Sequence, residues 1–442
     1  MTRKAKPGYK LELSNFKKYE EIPDDWSLRT LDKVGKIVGG GTPKTTVPEY
    51  WNGNILWATP SDLTEIESNY IDDTERKITQ KGLDESSATP IDAGNIIFSS
   101  RATVGECKIN TKSITTNQGF QNIIPKDQHD KMFVFYAVQQ NKIKFIRIAY
   151  GTTFLEISKN NLKKIKIPFP KTLDEEQKIG VILSNIDELI QSYNKTVKTI
   201  KKLKQGLMQQ LVTRGIGHKK FKKVKWLFDK EIEIPEEWEI TTFNDSFTFL
   251  TSGTNSRSDL VTSGNFNYIH YGDIHTKWNS ILDCQKETIP FIDKSKVENL
   301  SLLQDGDLII ADASEDYEGS GDSILISNIN KKKIVSGLHT IALRAKTNQL
   351  YPNFLRYLNS IKSVKIQIIS KVTGTSVYGL SKNNLKKIKI PLPTLEEQKK
   401  ISLILYSVDD KISDLESKKK SLESLKKGLM QKLLTGQIRV AV

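Results

Sequence analysis

His270, Asp273 and His275 are the closest approach in this sequence to a metal-binding group, because imidazole and carboxylate side chains this near in sequence can share one ion. They fall on a polar loop without a third well-placed ligand, so they read as solvent-facing or base-contacting residues. Asp24 with Asp25 and Glu236 with Glu237 are paired carboxylates of the kind used in acid–base chemistry, yet each pair precedes a tryptophan in a turn-like stretch and reads as capping. Gly39–Gly41 is glycine-rich but lacks the Lys-Ser or Lys-Thr that completes a nucleotide-phosphate loop. It reads as a tight loop, or as one whose amides meet a nucleic-acid phosphate. No G-x-x-x-x-G-K-[ST] stretch, no N-P-P-[FY] tetrapeptide for holding a flipped adenine and no F-x-G-x-G cofactor loop occurs. Cys107 and Cys284 stand outside any C-x-x-C pairing, which argues against a zinc knuckle or a disulfide framework. What this inventory leaves is binding.

The elements that must position binding residues are duplicated. SKNNLKKIKIPFP (Ser158–Pro170) returns as SKNNLKKIKIPLP (Ser381–Pro393), each followed by a long helical pattern that opens TLDEEQK or TLEEQKK and closes KQGLMQQLVT or KKGLMQKLLT. Ile186, Tyr193, Ile200 and Leu207 recur by sevens, as do Val408, Leu415, Leu422 and Leu429, so each copy can supply a coiled-coil seam. Acidic residues fill both first turns, where they complement the helix dipole. A helix from Asp174 to Thr213 would run roughly 60 Å at about 1.5 Å per residue, a length that suits a spacer better than a domain core.

The repeat extends weakly outward. IPDDW (Ile22–Trp26) matches IPEEW (Ile234–Trp238), GGTP (Gly40–Pro43) matches SGTN (Ser252–Asn255), and AGNIIFSS (Ala93–Ser100) parallels DGDLIIAD (Asp305–Asp312). Strands are expected at Lys36–Val38, Asn54–Trp57, Asn95–Phe98 and Gln121–Ile124, then at Thr248–Leu250, Tyr268–His270, Asp307–Ile310, Ser323–Ile326 and Thr340–Leu343. Helices are expected near Lys131–Ile143 and Pro352–Ser363. The fold class is therefore α+β: two similar globular domains and two long coil-forming helices, with an internal pseudo-twofold. The expected divisions are 1–171, a central helix 172–216, 217–393, and a C-terminal helix 394–442. The segment entering the second half (Phe221–Trp238) resembles the start of the chain (Asn15–Trp26), so Thr435 should lie near that start. Lys and Arg number 67 against 52 Asp and Glu, a net charge of +15, which points to a polyanionic partner. No apolar run approaches a membrane span, the opening MTRKAKPGYK lacks the apolar core of a secretory signal, and the cytoplasm is the expected location.

IPxxW, the GGxP-like loop, SSRATVGE, TTNQGF (Thr115–Phe120), the G-T-[ST] turn, L-K-K-I-x-I-P, and EEQKxI heading a helix that ends GLMQxLLT together resemble the specificity subunit of type I restriction-modification systems. The resemblance spans nearly the whole chain. It implies that each globular half is a target recognition domain reading one part of a split double-stranded DNA site. It also implies that the two long helices form an antiparallel coiled coil, which holds the halves apart and receives two methylation subunits, which restriction subunits join. This chain is then not itself an enzyme and binds no cofactor, with S-adenosylmethionine on the methylation subunit and ATP and Mg on the restriction subunit. One departure is the second-half loop bearing Asp312, Glu315, Asp316 and Glu318 where basic and small residues are expected.

Lysines and helix ends hold phosphates, whereas side chains reaching base edges discriminate. The Lys-rich run from Lys195 to Lys230 reads equally as a phosphate contact or a solvated face. Base-reading candidates are loop residues where the copies diverge: Lys44, Thr45, Ser61, Asp62, Arg101, Thr103, Asn117 and Gln118, then Asn255, Arg257, His270, Tyr271, Asp273 and His339. Thr152 with Thr153 and Thr375 with Ser376 are candidates in both copies. Subunit-interface candidates are Glu175, Glu176, Gln177, Ile186, Ile200 and Leu207, with Glu396, Glu397, Gln398, Val408, Leu422 and Leu429. The rival reading from another class is a stand-alone structural protein that bridges DNA through its coil.

Overall fold

The computed structural model describes residues 4–151, 154–227, 230–278, 280–346 and 349–441. The chain forms two compact units, Met1–Thr196 with Leu415–Val442, and Val197–Asp414. Both long helices exist, Leu173–Arg214 and Leu395–Leu433. Neither is a body of its own, because each unit contains the beginning of one and the end of the other.

The first unit is built on a five-stranded sheet in the order Gly35–Gly39, Gln121–Pro125, Ile96–Phe98, Cys107–Asn110, Tyr70–Ile71. Neighbours are antiparallel except the last pair. The second unit repeats this order with Phe247–Phe249, Thr340–Ala345, Leu308–Ala311, Ser323–Ser327 and Ile281–Asp283, again parallel only at the last pair. Central strands such as Ile96–Phe98 and Leu308–Ala311 are buried throughout, which is why they read as unbroken apolar runs rather than alternating ones. A smaller sheet lies in each unit around Trp51–Ala58 and around Phe266–Ile269.

The expected strands are present to within three residues at each end, but the helix expected near Lys131–Ile143 is two, Lys131–Gln140 and Lys142–Ile148. Its counterpart near Pro352–Ser363 breaks into Pro352–Leu355, a 3-10 turn at Leu358–Ser360, and Lys362–Ser370. Two hairpins not foreseen open the units: Tyr9–Leu13 with Tyr19–Pro23, and Phe221–Lys225 with Glu231–Pro235. Next, Ser27–Thr30 pairs with Lys166–Phe169, and Glu239–Thr242 with Lys389–Leu392, so the repeated L-K-K-I-x-I-P segment closes each unit against its own beginning.

The first turn of each long helix is anchored by a buried carboxylate. Glu175 accepts from the indole nitrogen of fully buried Trp26 at 3.3 Å and from Arg439, whose Nε lies 2.6 Å from Oε1. Glu397 accepts from the indole of fully buried Trp238 at 2.8 Å and from the Ile216 amide at 2.8 Å, and its Oε1 lies 2.9 Å from Nε2 of His218. The next residue ties the helix to the sheet domain. Glu176 accepts from the Asp130 amide at 2.9 Å and meets His129, while Gln398 accepts from the Tyr351 amide at 2.8 Å. Glu175 therefore corresponds to Glu397 and Glu176 to Gln398, one position off the apparent match of the two E-E-Q triplets.

Further along, Asp187 gathers Lys426 at 2.6 Å, Tyr136 at 2.6 Å and Asn69 at 2.6 Å. Its counterpart Asp409 gathers Lys204 at 2.5 Å and Arg356 and Tyr357 at 3.3 Å. In the first unit Glu175 meets residue 439 and Asp187 meets 426; in the second Glu397 meets 218 and Asp409 meets 204. Partners descend on one helix as they ascend on the other, so the pairing is antiparallel in each unit. Ile179 and Leu183 with Met430 and Leu433 enter the first unit's core, and Leu211 and Val212 with Ile401 and Leu405 enter the second's. The hydroxyl of Tyr9 donates to the carbonyl of Gly436 at 2.9 Å, placing the end of the C-terminal helix beside the start of the chain as expected.

Replacing Glu175 by Ala strands the buried Trp26 N–H and removes one of Arg439's partners, which should cost about 2–3 kcal/mol. Asp174→Ala, on the exposed side of the same turn, should stay within about 0.5 kcal/mol. Urea unfolding of the two variants compares them, and equal midpoints would contradict the anchoring role.

Candidate nucleic-acid interface

In the first unit the diverged loops converge around Thr116–Gly119. The amide of Gly41 donates to the Thr116 carbonyl at 2.8 Å, and the hydroxyl of Thr42 donates to the side-chain carbonyl of Gln118. A Cβ at Gly40 would lie 2.0 Å from the Asn117 carbonyl oxygen, so that close approach admits only glycine. Arg101 and Pro60 both flank Gly119, and the Asn117 side chain accepts from the Gly119 amide at 2.8 Å. Arg101, Asn117, Gln118 and the start of the helix carrying Ser61 thus share one neighbourhood. Lys44 and Thr45, both exposed, follow Gly40–Thr42 in the same loop, which is pinned by Trp57 Nε1 on the Gly41 carbonyl at 2.9 Å and Trp51 Nε1 on the Lys44 carbonyl at 3.3 Å. The Arg76 guanidinium stacks 3.8 Å from the Trp51 ring and holds that platform from behind.

Two candidates in this unit serve the scaffold instead. Asp62 is buried: it closes a capping box with Thr59 and accepts from the Glu75 amide at 2.8 Å, leaving nothing for a base. Thr103 spends its hydroxyl on Ser99 at 2.8 Å. Arg101, half-exposed, pairs loosely with Glu156 at 3.8 Å, a contact weak enough to exchange for a base or phosphate. Thr152 and Thr153 lie outside the described residues.

The second unit assembles a denser group. Tyr271 stacks against His270 with ring centres 4.6 Å apart, meets His339 edge-on at 5.3 Å and His275 at 6.2 Å. Asp273, buried, receives Arg257 and Lys277 on the same oxygen at 2.9 Å each. Correcting the expectation that Asp273 reads a base, its burial makes it the fixture from which half-exposed Arg257 and Lys277 project. Lys277 was legible as the i+4 partner of an aspartate on a helix, but was not singled out. Tyr268, also missed, donates its hydroxyl to the Asn255 carbonyl at 2.9 Å and accepts from the Leu338 amide at 2.8 Å, joining the loop of Asn255 to the turn bearing His339. A Cβ at Gly337 would stand 2.2 Å from the Tyr268 ring, so this junction also requires glycine. His339 sits in the left-handed region at φ 53° with its Nδ1 3.2 Å from Asp312. Thr375 and Ser376 are exposed on a separate stretch after Gly374.

The acidic loop occupies the place of the Arg101 loop: Ala313 pairs with Gly379 as Arg101 bridges to Glu156. Two of its carboxylates have partners, whereas Glu315 and Glu318 are exposed. Asp312 faces His339, and Asp316 accepts from the Gly319 amide within its own turn. Desolvation holds Asp312 above the usual carboxylate range. Cations thus come from elsewhere in this unit, from Arg257 and Lys277.

Among the interface candidates, Glu175, Glu176, Glu397 and Gln398 are buried in the anchors described above and cannot meet another chain without breaking them. Ile186 is buried as well, and Leu207 and Leu429 pack against the cores of their own units. Ile200, Val408 and Leu422 are half-buried, whereas Gln177 and Glu396 are exposed. Exposed apolar residues lie instead at Val181 and Leu425 in the first unit, and at Leu403 and Leu203, their repeat counterparts, in the second. Among the described residues no group of His, Cys, Asp and Glu could hold a metal ion, and no helix is long and apolar enough to cross a membrane.

The family model of the type I restriction modification DNA specificity domain matches residues 23–202 and 235–424. The MjaIX type I restriction enzyme specificity subunit of Methanocaldococcus jannaschii is 28% identical over 440 residues, covering 95% of both chains. The crystal structure of a type I restriction-modification S subunit from M. genitalium superposes with a TM-score of 0.55 at 18% identity, covering 96% of this chain and 98% of that one. A chain from a structural study of assembly and conformational transition in a type I system gives 0.57 at 16% identity, over 94% and 99%.

The histidines of the second unit should titrate apart. Burial, with Arg257 nearby, lowers His270, while the hydrogen bond to Asp322 raises His275. Two-dimensional NMR of the imidazole protons should place His270 below and His275 above the ordinary value near 6.5. Because the folded pKa of His275 is the higher one, its stabilising contribution is complete below about 6.5 and fades as pH rises through the folded value. The stability lost in His275→Ala should accordingly shrink on the alkaline side.

Proposed function

Because this chain belongs to the type I restriction-modification DNA specificity family, we propose that it is the non-catalytic subunit that reads a bipartite double-stranded DNA site, one half-site per unit, for a methylation and restriction complex. The observation that carries this reading is the repetition of one five-stranded architecture with different side chains in the same loops: Arg101, Asn117 and Gln118 in one unit, Arg257, His270, Tyr271 and His339 in the other. One scaffold with two unlike polar clusters is what two unlike half-sites require. A DNA-bridging structural protein has no need for the loops to diverge, and the full-length relatives favour the recognition reading. S-adenosylmethionine, ATP and Mg belong on the partner subunits in this reading, and the cytoplasm, where host DNA lies, is its location.

Exchanging residues 22–157 for those of a relative should change one half of the methylated sequence and leave the other as it was. Sequencing of methylated adenines in cells carrying the exchange tests this; alteration of both halves would refute independent reading. Within the second unit, Arg257→Ala should weaken binding by about 1–3 kcal/mol and relax selectivity at a single base position.

Docking of methylation subunits is assigned to the exposed apolar positions rather than to the buried anchors, since contiguous exposed apolar surface marks interaction sites. Val181 and Leu403 are equivalent and more than half exposed. Val181→Asp or Leu403→Asp should each remove one methylation subunit, and the double variant both, as read by native mass spectrometry of the reconstituted complex.

A further inference from the structure

The second unit contains a cavity beside the recognition cluster, with which it shares His275 and Lys277. It measures about 320 Å³, and its walls include His275, Trp278, Ser280, Asp322, Arg356 and Asn359. Among the described residues, three buried polar atoms of these side chains have no hydrogen-bond partner: the indole Nε1 of Trp278, the Nε of Arg356 and the Oδ1 of Asn359. Trp278 and Arg356 are 5% and 8% exposed, so their N–H groups are shielded from bulk solvent, and a buried donor without an acceptor is costly to keep. Isolated orphans are common enough; three on the wall of one cavity indicate a missing occupant.

The remaining contacts define what that occupant is. Arg356 turns its Nη2 to Ser280 Oγ at 3.1 Å and to Asp409 at 3.3 Å, which fixes the guanidinium while leaving Nε unused. His275 faces an acceptor on each nitrogen, Asp322 at 3.2 Å and the Ala313 carbonyl at 3.0 Å, an arrangement that suits the doubly protonated ring. Lys365 at 3.7 Å and the Asn359 amide at 3.4 Å also face Asp322, so the one carboxylate in the wall is already compensated. Beside the hydroxyls of Thr276, Ser280, Ser323 and Ser360, the buried unpartnered atoms of the wall are thus two N–H donors, one of them cationic, and one neutral acceptor.

We propose that this cavity is a binding site for a tetrahedral oxyanion of the phosphate class that retains a hydroxyl. Two of its oxygens accept from Trp278 Nε1 and Arg356 Nε, and its P–O–H donates to Oδ1 of Asn359. Charge-assisted bonds to the anion use the strongest donor present. The amide acceptor supplies selectivity: sulfate at neutral pH has no proton to give Asn359 and would set lone pair against lone pair. Water could satisfy the same atoms singly, but the volume exceeds what one or two waters, at about 30 Å³ each, would fill. A backbone phosphodiester of DNA lacks the hydroxyl, and a phosphate monoester, with its second pKa near about 6, has mostly lost it at neutral pH, so free inorganic phosphate is the matching source.

Calorimetric titration of the full chain with inorganic phosphate and with sulfate, at neutral pH and constant ionic strength, tests the proposal. Saturable one-site binding of phosphate at least tenfold tighter than sulfate is expected. Asn359→Ala should abolish the preference, and Trp278→Phe, which keeps the ring and deletes only the donor, should weaken both anions about tenfold without changing the melting temperature. Absence of saturable binding would overturn the site in favour of ordered water, and equal affinity for both anions would mean an adventitious ion only. Phosphate binding unmoved by both variants would overturn the assignment of donors and acceptor. Adding a DNA duplex should leave the phosphate affinity unchanged; displacement by DNA would overturn the requirement for a hydroxyl and make the bound group a backbone phosphate. None of these outcomes depends on which half-sites the chain reads.

Discussion

The rest of the molecule depends on two buried carboxylates, Glu175 and Glu397, each at the first turn of a long helix and each receiving an indole N–H from a tryptophan with no exposed surface. A carboxylate in such a place is tolerable only when its lone pairs are filled. The geometry that fills them leaves little latitude: the tryptophan comes from the strand-entry turn of the same unit, and the second partner comes from the chain just beyond the end of the other helix. Arg439 performs that role in one unit and His218 in the other. The anchor thereby specifies where a helix begins, which way it leaves the sheet domain, and where its partner must end. As in other buried ionic groups, its value lies more in specifying one arrangement than in net stability.

The second constraint follows from the first. Once the helix starts are fixed, Asp187 and Asp409 fall where each can meet a lysine of the opposing helix and a buried tyrosine of the domain. Charge on the helices is consequently spent on register, and the apolar stripe is spent on the cores of the units. Exposed apolar residues of the two helices include Val181 and Leu403, and Leu203 and Leu425, at equivalent positions of the repeat. Their recurrence at equivalent positions accords with two copies of one partner.

With the scaffold held this way, the recognition loops are free to differ. The first unit presents a single half-exposed arginine beside amide side chains. The second reverses the local charge by placing carboxylates in the equivalent loop, and recovers positive surface from Arg257 and Lys277 mounted on buried Asp273. An acidic loop near DNA is therefore compatible with binding, because Asp312 is partnered by His339 and largely desolvated rather than facing a phosphate.

Duplication, the two long helices, the sheet strands and the lack of catalytic motifs were all legible in the residues, because periodicity, local propensity and motif spacing are properties of neighbouring positions. The divergence of the loops was visible too, since two copies of one scaffold can be compared position by position. Burial was not. An acid in the first turn of a helix satisfies the dipole whether it points to water or to a tryptophan 149 residues away in sequence, so Glu175 and Glu397 read as surface residues available to a partner. Asp62 and Asp273 misled for the same reason: a loop carboxylate looks alike as a base reader and as a buried fixture for a backbone amide or an arginine. The one-position offset that matches Glu175 to Glu397 was likewise hidden, because identical E-E-Q letters align best by type while the fold aligns them by which face meets the core. Which residues share a neighbourhood is decided by strand order and by the close approach of loops, and these arise only when distant segments bury their apolar faces together.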